Sequence, residues 1–428
     1  MAAAAADHLR DCIATATDVG ETMSISLLAR RDDAALAEAA DIDASLPISG
    51  DVLTVKACFD VAGWTTHAGS AVLAGAPPAE ADAPMVAALR SAGAIVWAQS
   101  NMTEFAYGAL GLNDTYGTPT TPLRPKEQRV SGGSTSGGAV AVAVGVADLS
   151  LGSDTSGSIR IPAAFCGVAG FKPSQGRYPS AGLIPLARSY DAPGLIATTV
   201  SHLRRADMAL VDRDPREPSA RSLGELRVLV PRGAICAGTT DVEVLDAFDD
   251  WLAVLTAAGV SVTEVEMPML GEASIAAREG SVIAVEAYDW HRDLIAERFD
   301  QYDPRVGPRI QHGASVLAAD YVAAVRRIDD CRRRYDSAIA DADAIITPTV
   351  PILPPRIEAL ASMENYLAMN TEVLRLTEFA NRLDLPSVTV PDVPANREPI
   401  GLMLTGRRAG DAALLDMAVL IESCLANR

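Results

Sequence analysis

The 428-residue chain carries 36 basic and 55 acidic side chains, so its formal net charge at pH 7 is -19. This acidic balance argues against direct binding to nucleic acid or to an anionic membrane surface, because both need clustered lysine and arginine. Hydrophobic residues make up 49% of the sequence and charged residues only 21%, which excludes an intrinsically disordered chain and predicts a large buried core.

The cysteines lie far apart, and their spacing indicates neither a metal knuckle nor a disulfide framework. We therefore expect reduced, mostly buried thiols at positions 12, 58, 166, 236, 331 and 424. The first residues lack the basic region and the long apolar run of a signal peptide, and no apolar stretch approaches the roughly 18–20 residues that span a bilayer. These features predict a cytoplasmic location.

The first third of the chain alternates between helical and strand patterns. Residues 1–45 carry an alanine-rich helical pattern, and residues 51–56 form an apolar, β-branched run that predicts a buried strand ending at Lys56. Residues 84–101 predict an amphipathic helix, a glycine stop and a second buried strand. Residues 137–146 fit a helix or a strand, and the glycines before them favour a helix.

The remainder of the chain continues the mixed pattern. The sequences LRVLVP, DVEVLDAFDDWLAVLTAAG and VSVTEVEMP predict a strand–helix–strand unit, which favours a parallel or mixed sheet. Residues 270–342 are mostly helical in pattern, and three late strands and a final helix from Asp411 follow. Because we find no internal repeat and no linker, the sequence favours an α/β fold in a single domain over residues 1–428.

Lysine is rare in this chain, which makes each lysine a candidate for a task that arginine cannot perform. Only Lys56, Lys126 and Lys172 occur among the 36 basic residues. A buried lysine can lose its proton near neutral pH, whereas arginine stays charged. Lys126 lies in a polar loop, but Lys56 ends the predicted buried strand, so Lys56 is the candidate base.

Two serine- and glycine-rich clusters, residues 131–138 and 153–158, are the other candidates for chemistry. Neither matches a phosphate-binding loop or the GxSxG turn of α/β-hydrolases, and no SxxK or HExxH motif occurs. None of the five histidines stands in a recognisable catalytic setting. A serine nucleophile activated by a desolvated lysine is therefore one interpretation, and flexible turns are the other.

The stretch SGGSTSGGAVAVAVGVADLSLGSDTSGSIRIPAAFCGVAGFKPSQG resembles the signature of the amidase signature hydrolases. The resemblance extends to LTVKACFDVAG upstream and to PIGLMLTGRRAGDAALL near the end, so it covers nearly the whole chain. It implies an α/β/α sandwich around one large mixed β-sheet, with the helical 270–342 segment packed over the site. It also implies hydrolysis of a carboxamide to an acid and ammonia or an amine, without a metal or organic cofactor.

The resemblance assigns roles residue by residue. The family's lysine falls on Lys56, its bridging serine, whose peptide bond is cis in the family, on Ser134, and its nucleophile on Ser158. The oxyanion hole falls on the backbone N–H groups of Thr155, Ser156, Gly157 and Ser158. Asp154 and Arg160 match positions that brace the nucleophile loop.

Three residues depart from the family pattern. Ala57 replaces the aspartate that usually follows the lysine, Ser131 stands where proline is frequent, and Ser156 replaces a glycine of the oxyanion loop. None of these changes removes a catalytic group. We expect the hydroxymethyl group of Ser156 to narrow the pocket and to favour a small or polar acyl group.

Two alternatives remain open at this stage. One is a specialised small-acid amidase acting on allophanate, malonamate or a carboxybiuret, which the segment 377–391 favours and in which an arginine would hold the substrate carboxylate. The other is the glutaminase subunit of a tRNA-dependent amidotransferase. Retention of Lys56, Ser134 and Ser158 argues against a catalytically silent binding protein. The expected partners are a small amide substrate and a possible second copy of the chain, with no direct nucleic acid or membrane partner.

Overall fold

A single mixed β-sheet organises the computed structural model, which describes residues 2–211, 221–392 and 400–426. The strands run in the spatial order β1-β3-β2-β4-β6-β5-β10-β11-β9-β7-β8. In chain order they are β1 Leu27–Arg30, β2 Val52–Lys56, β3 Ile95–Ser100, β4 Leu149–Asp154, β5 Ala169–Lys172, β6 Ala192–Ala197, β7 Arg227–Val230, β8 Ser261–Glu264, β9 Ala344–Pro348, β10 Ser387–Val390 and β11 Leu402–Gly406.

Parallel pairing is confined to two groups of strands, β3-β2-β4 and β9-β7-β8, and antiparallel pairs join them through the middle of the sheet.

The α-helices in the described residues are α1 Ala2–Val19, α2 Glu21–Ser26, α3 Asp32–Ala40, α4 Pro84–Ser91, α5 Ser136–Ala143, α6 Arg160–Cys166, α7 Val200–Leu210, α8 Arg232–Ile235, α9 Val242–Ala257, α10 Met269–Glu279, α11 Val282–Arg298, α12 Gly307–His312, α13 Ala318–Ala338, α14 Met363–Leu374, α15 Glu378–Arg382 and α16 Asp411–Ala426.

Helices cover both faces of the sheet, as the side chains of β3 show. Val96 belongs to one apolar cluster, while its neighbours Ile95 and Trp97 belong to another, because successive side chains of a strand point to opposite faces. Helices α1, α3 and α5 contribute to the cluster around Trp97, and α4, α7, α9 and α16 to the cluster around Val96. The predicted α/β/α arrangement around one large mixed sheet is therefore confirmed.

Most predicted elements occur where the sequence placed them. The buried strand that ends at Lys56 is β2, and residues 137–146 lie mainly in a helix, α5. Strands β7 and β8 are parallel with α9 between them, as the strand–helix–strand pattern predicted. Residues 270–342 form α10 to α13. No helix in the described part of the chain is long and apolar enough to cross a membrane.

One local prediction was wrong. Residues 27–30 lie inside the alanine-rich segment that predicted a helix, but they form β1 and pair antiparallel with β3 at the edge of the sheet. The backbone of β3 offers hydrogen-bond partners along that edge, and this pairing overrides a weak local helix propensity. In this strand, Leu27 belongs to the apolar cluster around Trp97, and Leu28 packs against the cluster around Val96.

We predict that Gly137→Ala destabilises the protein even though alanine is the better helix former. A Cβ atom at this position of α5 would lie 2.2 Å from the backbone oxygen of Ser26 and 2.6 Å from the backbone nitrogen of Asn101. Such overpacking costs about 1–3 kcal/mol, which a shift of the urea unfolding midpoint would show. The control is Gly271→Ala in α10, where an added Cβ meets nothing within 4 Å. Equal midpoints for the two variants would contradict the packing described for α5.

Candidate active site

Lys56 lies at the end of β2, between the parallel strands β3 and β4, and its side chain is fully buried. Its Nζ donates to Ser134 Oγ at 2.7 Å, to Ser153 Oγ at 2.9 Å and to the backbone oxygen of Ser153 at 3.3 Å. Burial lowers the pKa of Lys56, because desolvation disfavours the ammonium form and no carboxylate contacts the Nζ atom among the described residues. The geometry therefore brings a lysine that can become neutral against a serine hydroxyl.

Ser134 stands in the turn that leads into α5, where its side chain is completely buried. The Gly133–Ser134 peptide bond is cis. The next residue, Thr135, donates its backbone N–H to the backbone oxygen of Ser158 at 3.1 Å, and this bond holds the two serine clusters together. The hydroxyl groups of Ser134 and Ser158 do not hydrogen-bond each other directly in the described structure.

Ser158 lies in the short loop between β4 and α6, and the carboxylate of Asp154 shapes this loop. Asp154 accepts hydrogen bonds from the backbone N–H groups of Gly157 at 2.7 Å and of Ile159 at 3.1 Å. Gly157 has φ +141°, and a Cβ there would lie 2.3 Å from Thr377 Oγ1. Only glycine fits this position, since the backbone is left-handed and a neighbouring side chain fills the space.

Asp154 and Arg160 form an ion pair in which neither side chain is exposed. Arg160 donates to the two carboxylate oxygens from Nε at 3.0 Å and from Nη2 at 2.9 Å. Burial alone would raise the pKa of Asp154, but the guanidinium of Arg160 holds that pKa well below its usual range. Arg160 also donates to the backbone oxygen of Thr377 at 2.9 Å and to Asn381 Oδ1 at 2.7 Å, so it ties the nucleophile loop to α15.

The backbone N–H groups predicted to form the oxyanion hole are not equivalent. The N–H of Gly157 donates to Asp154 and is therefore already engaged. Those of Thr155, Ser156 and Ser158 donate to no atom in the described ranges of the chain. The Thr155 hydroxyl donates to Asp191 Oδ1 at 2.5 Å, which orients the start of the loop. Burial raises the pKa of Asp191 to about 6.

Arg382, which no sequence pattern singled out, contacts the oxyanion loop from the end of α15. Its Nη2 donates to Ser156 Oγ at 2.8 Å, and its Nη1 donates to the backbone oxygen of Thr155 at 2.9 Å. The guanidinium also stacks over the ring of Tyr190, with its central carbon 4.3 Å from the ring centroid. The hydroxyl of Ser156 is thus held by an arginine, a partner that glycine at this position could not engage.

The segment 377–391 was the one available sequence signal for this part of the site. Thr377, Asn381 and Arg382 all lie in it, and all three hydrogen-bond to residues 154–156. Ser153, which also contacts Lys56, stands in the second serine cluster but carried no assigned role. Lys172 is buried as well, but its Nζ donates to the backbone oxygen of Pro173 at 2.6 Å, away from both serines.

Ser158 lines a narrow recess of about 40 Å³. This recess shares lining residues, among them Ser156 and Arg309, with a larger cavity of about 430 Å³. Residues of the helical 270–342 segment form one wall of the larger volume, which we call the first cavity. It is lined by Tyr107, Ser156, Ala277, Arg278, Ser281, Ile283, Ala284, Pro308, Arg309, His312, Asn370, Thr371, Leu374, Glu378 and Arg382.

Three guanidinium groups and one carboxylate border the first cavity. Arg278 and Arg382 both pair with Glu378. Arg309 donates to the backbone oxygen of Tyr107 at 2.8 Å and stacks over the Tyr107 ring at 3.9 Å, but no carboxylate among the described residues pairs with it. The cavity beside Ser158 therefore carries an excess of positive charge. The described residues contain no group of three or more His, Cys, Asp or Glu side chains arranged to hold a metal ion.

Comparison with known proteins assigns the family. The family model described as Amidase matches residues 9–415. The chain is 33% identical over 384 residues to 2-amino-5-chloromuconic acid deaminase of Comamonas testosteroni, covering 89% of this chain and 82% of that protein. It is 31% identical over 415 residues to one subunit of the glutamyl-tRNA(Gln) amidotransferase of Halobacterium salinarum, covering 88% of this chain and 96% of that protein.

A solved amidase crystal structure superimposes with a TM-score of 0.87 at 30% identity, over 98% of this chain and 96% of that one. The family model, the relatives and the shared fold agree with one another on the family. The chain belongs to the amidase family and is an amide-cleaving hydrolase.

Proposed function

We propose that this enzyme cleaves a carboxamide through an acyl-serine intermediate on Ser158, with Lys56 and Ser134 as the proton relay. The observation that carries the proposal is the 2.7 Å contact between Lys56 Nζ and Ser134 Oγ in a fully buried setting. A serine hydroxyl needs a base to become a nucleophile, and a desolvated lysine is such a base. Ser153, whose Oγ also lies 2.9 Å from Lys56 Nζ, is the alternative nucleophile, but it does not line the recess at Ser158.

In the proposed reaction, neutral Lys56 accepts the proton of Ser134, and Ser134 accepts the proton of Ser158. Ser158 Oγ attacks the carbonyl carbon, and the N–H groups of Thr155, Ser156 and Ser158 stabilise the oxyanion. The relay then returns a proton to the leaving nitrogen, which departs as ammonia or an amine. Water attacks the acyl-enzyme through the same relay and releases the acid. All of these steps use groups of the chain itself, so the proposal includes no metal or organic cofactor.

The proposal treats residues 1–428 as one catalytic domain in a cytoplasmic enzyme. One sheet takes strands from all three described ranges, which supports a single unit. The cysteines are free thiols, as a reducing compartment would require. Asp154 and Arg160 act in this scheme as supports of the nucleophile loop.

Arg309 favours the small-acid alternative over an amidase for neutral amides. Its guanidinium borders the recess that exposes Ser158 and has no carboxylate partner in the described ranges. A substrate carboxylate would supply that partner through charge-assisted hydrogen bonds. The deaminase relative is named for an acidic compound, in agreement with this choice. Ser156 and Arg382, which contact each other, line the first cavity on the side of the oxyanion loop.

The amidotransferase alternative rests on the second relative, which is named as part of a larger enzyme. A glutaminase subunit would depend on a stoichiometric partner for full activity, whereas a self-sufficient amidase would not. Purification from the native host distinguishes them: a partner that co-elutes in fixed ratio and raises glutamine hydrolysis would favour the amidotransferase, and full amide hydrolysis by the isolated chain would favour the amidase.

We predict that Ser158→Ala lowers kcat by about 10⁴-fold or more and leaves the fold intact, because it removes the nucleophile. Turnover is measured as ammonia release across a panel of amides, and folding as the circular dichroism spectrum. A fluorophosphonate probe should label Ser158 in the unaltered enzyme. Ser180→Ala, at an exposed position, is the matched control and should keep full activity. Near-normal turnover by Ser158→Ala, or labelling of another residue, would overturn the assignment.

We predict that kcat/KM rises with pH as Lys56 loses its proton. Desolvation lowers the pKa of Lys56, so the neutral amine forms at a lower pH than in an exposed lysine, and activity levels off above that pKa. Lys56→Arg should be nearly as damaging as Lys56→Ala, since a guanidinium stays charged. Lys126→Arg, at an exposed position, serves as the control. High activity of Lys56→Arg would show that the residue acts only as a positive charge.

We predict that Arg309→Gln lowers kcat/KM for succinamic acid by about 10- to 100-fold, the range expected when a charge-assisted hydrogen bond is lost. The same variant should change kcat/KM for butyramide, which lacks the carboxylate, far less. The comparison of the two amides within one variant separates recognition of the carboxylate from general damage to the site. An equal loss for both amides would contradict the small-acid assignment without affecting the role of Ser158.

A further inference from the structure

A second cavity of about 460 Å³ lies beside the first and is separated from it by the ion pair of Arg278 and Glu378, which lines both. We define the second cavity by the α10 face that carries Leu270, Gly271, Ser274 and Ile275, and by Leu376 and Phe379 opposite. Neither the recess at Ser158 nor Ser158 itself contributes to its lining. It is therefore a volume that the proposed hydrolysis does not use.

The wall formed by α10 is one continuous helical face. Residues 270, 271, 274, 275 and 278 lie three to four positions apart or next to each other, so their side chains project to the same side of the helix. Leu270 and Ile275 supply the apolar side chains of this face, and Ile275 keeps 43% of its surface exposed. Residues of α14 and α15 line the other side of the cavity, and an apolar ligand between them and α10 would cover the exposed part of Ile275.

Two hydroxyl groups in the lining lack hydrogen-bond partners. Ser274 Oγ and Thr347 Oγ1 are buried, with 5% and 1% of the residue surface exposed, and neither bonds to any atom of the described structure. A buried hydroxyl without a partner costs free energy, so a native structure usually satisfies it. Both residues line the second cavity, and a ligand there that carries a hydroxyl or a carbonyl group would satisfy them.

The charges around the second cavity are almost balanced, in contrast to those of the first. Arg278 pairs with Glu378, and Arg375 pairs with Glu372 at 2.7 Å. Arg375 further donates to the backbone oxygens of Ala234 and Ile235, so its guanidinium is occupied. The carboxylate of Glu266 is the charge that remains at the rim. This arrangement offers nothing to an anion.

We propose that the second cavity is a binding site for a small neutral molecule with an apolar body and one hydroxyl or carbonyl group. The apolar face of α10 and Phe379 would enclose the body, and Ser274 and Thr347 would bind the polar group. A volume of about 460 Å³ falls within the range of ordinary ligand pockets. The glycine at position 271 keeps the space open, since an added Cβ would meet no atom within 4 Å.

Benzyl alcohol is a suitable probe, because it combines an apolar ring with one hydroxyl group. We expect saturable binding to the full-length enzyme in the millimolar range, measured by saturation-transfer NMR and by calorimetric titration. Benzoate, which has a similar size but a negative charge, should bind much more weakly. The Ser158→Ala enzyme should bind benzyl alcohol as the unaltered enzyme does, so this test does not depend on the proposed reaction.

Gly271→Phe should abolish the binding of benzyl alcohol, because the new ring enters the second cavity from α10. Gly75→Phe is the matched control: Gly75 is exposed, an added Cβ there also meets nothing within 4 Å, and it does not line the cavity. Both variants should keep the amidase activity. Ser274→Ala and Thr347→Val should each weaken binding by about threefold to tenfold, the range for one hydrogen bond.

The proposal is overturned if benzyl alcohol does not bind saturably, or if Gly271→Phe binds it as tightly as Gly75→Phe does. It is also overturned if benzoate binds as well as benzyl alcohol, or if both hydroxyl variants bind like the unaltered enzyme. Thr347→Val also tests, without any ligand, whether the Thr347 hydroxyl lacks a hydrogen-bond partner. An unpartnered buried hydroxyl predicts that this variant unfolds at the same or a higher urea concentration, whereas clear destabilisation would mean that Thr347 already has a partner.

Discussion

The buried ion pair of Asp154 and Arg160 shapes the loop on which the proposed nucleophile stands. Two unexposed charges are stable only as a pair, and removing one partner of such a pair typically costs about 3–5 kcal/mol. The Asp154 carboxylate also accepts hydrogen bonds from the backbone N–H groups of Gly157 and Ile159. These bonds hold the sharp turn of the chain after β4. The Nη1 atom of Arg160 donates to the backbone oxygen of Thr377, at the start of α15. Arg160 therefore fixes the position of the nucleophile loop relative to α15.

The same degree of burial has opposite effects on two charged groups of the site. Asp154 is fully buried and remains a carboxylate, because a guanidinium and two backbone N–H groups stabilise its charge. Lys56 is equally buried, but the atoms around its Nζ are hydroxyls and a carbonyl, so desolvation lowers its pKa. The difference lies in the partners and not in the burial, and it separates a supporting anion from a candidate base within one small region.

A chain of hydrogen bonds and ion pairs runs from the oxyanion loop to the residues that line both cavities. Arg382 contacts Ser156 and Glu378, and Glu378 also contacts Arg278, which stands between the first and second cavities. Arg309 is left as the guanidinium beside the recess without a carboxylate partner in the described ranges. The charge that a ligand meets thus differs between the cavities, positive in the first and nearly balanced in the second. Ser156, which replaces a glycine of the family pattern, belongs to this chain of interactions through its hydrogen bond with Arg382.

The fold could be predicted well because its signals are local. Runs of β-branched residues mark β2 and β3, and the spacing of apolar residues marks α9, so both kinds of element can be recognised within a short window. The exception, β1, owes its conformation to a neighbouring strand and not to its own composition. The resemblance of the serine clusters then allowed candidate roles to be assigned to Lys56, Ser134 and Ser158 before any geometry was known.

The sequence by itself determined that a rare lysine ends a β-branched, apolar run, that two serine clusters follow it, and that the net charge is -19. The resemblance had pointed to Arg160, but only the tertiary structure revealed Arg382 and the partners of both arginines. Arg160 reaches Thr377 across 217 residues, and Arg382 reaches Thr155 across 227. Such pairs leave no periodic signal in the sequence, because they depend on where the sheet order brings distant segments together. The same reason applies to the cavities, whose walls come from helices far apart in the chain.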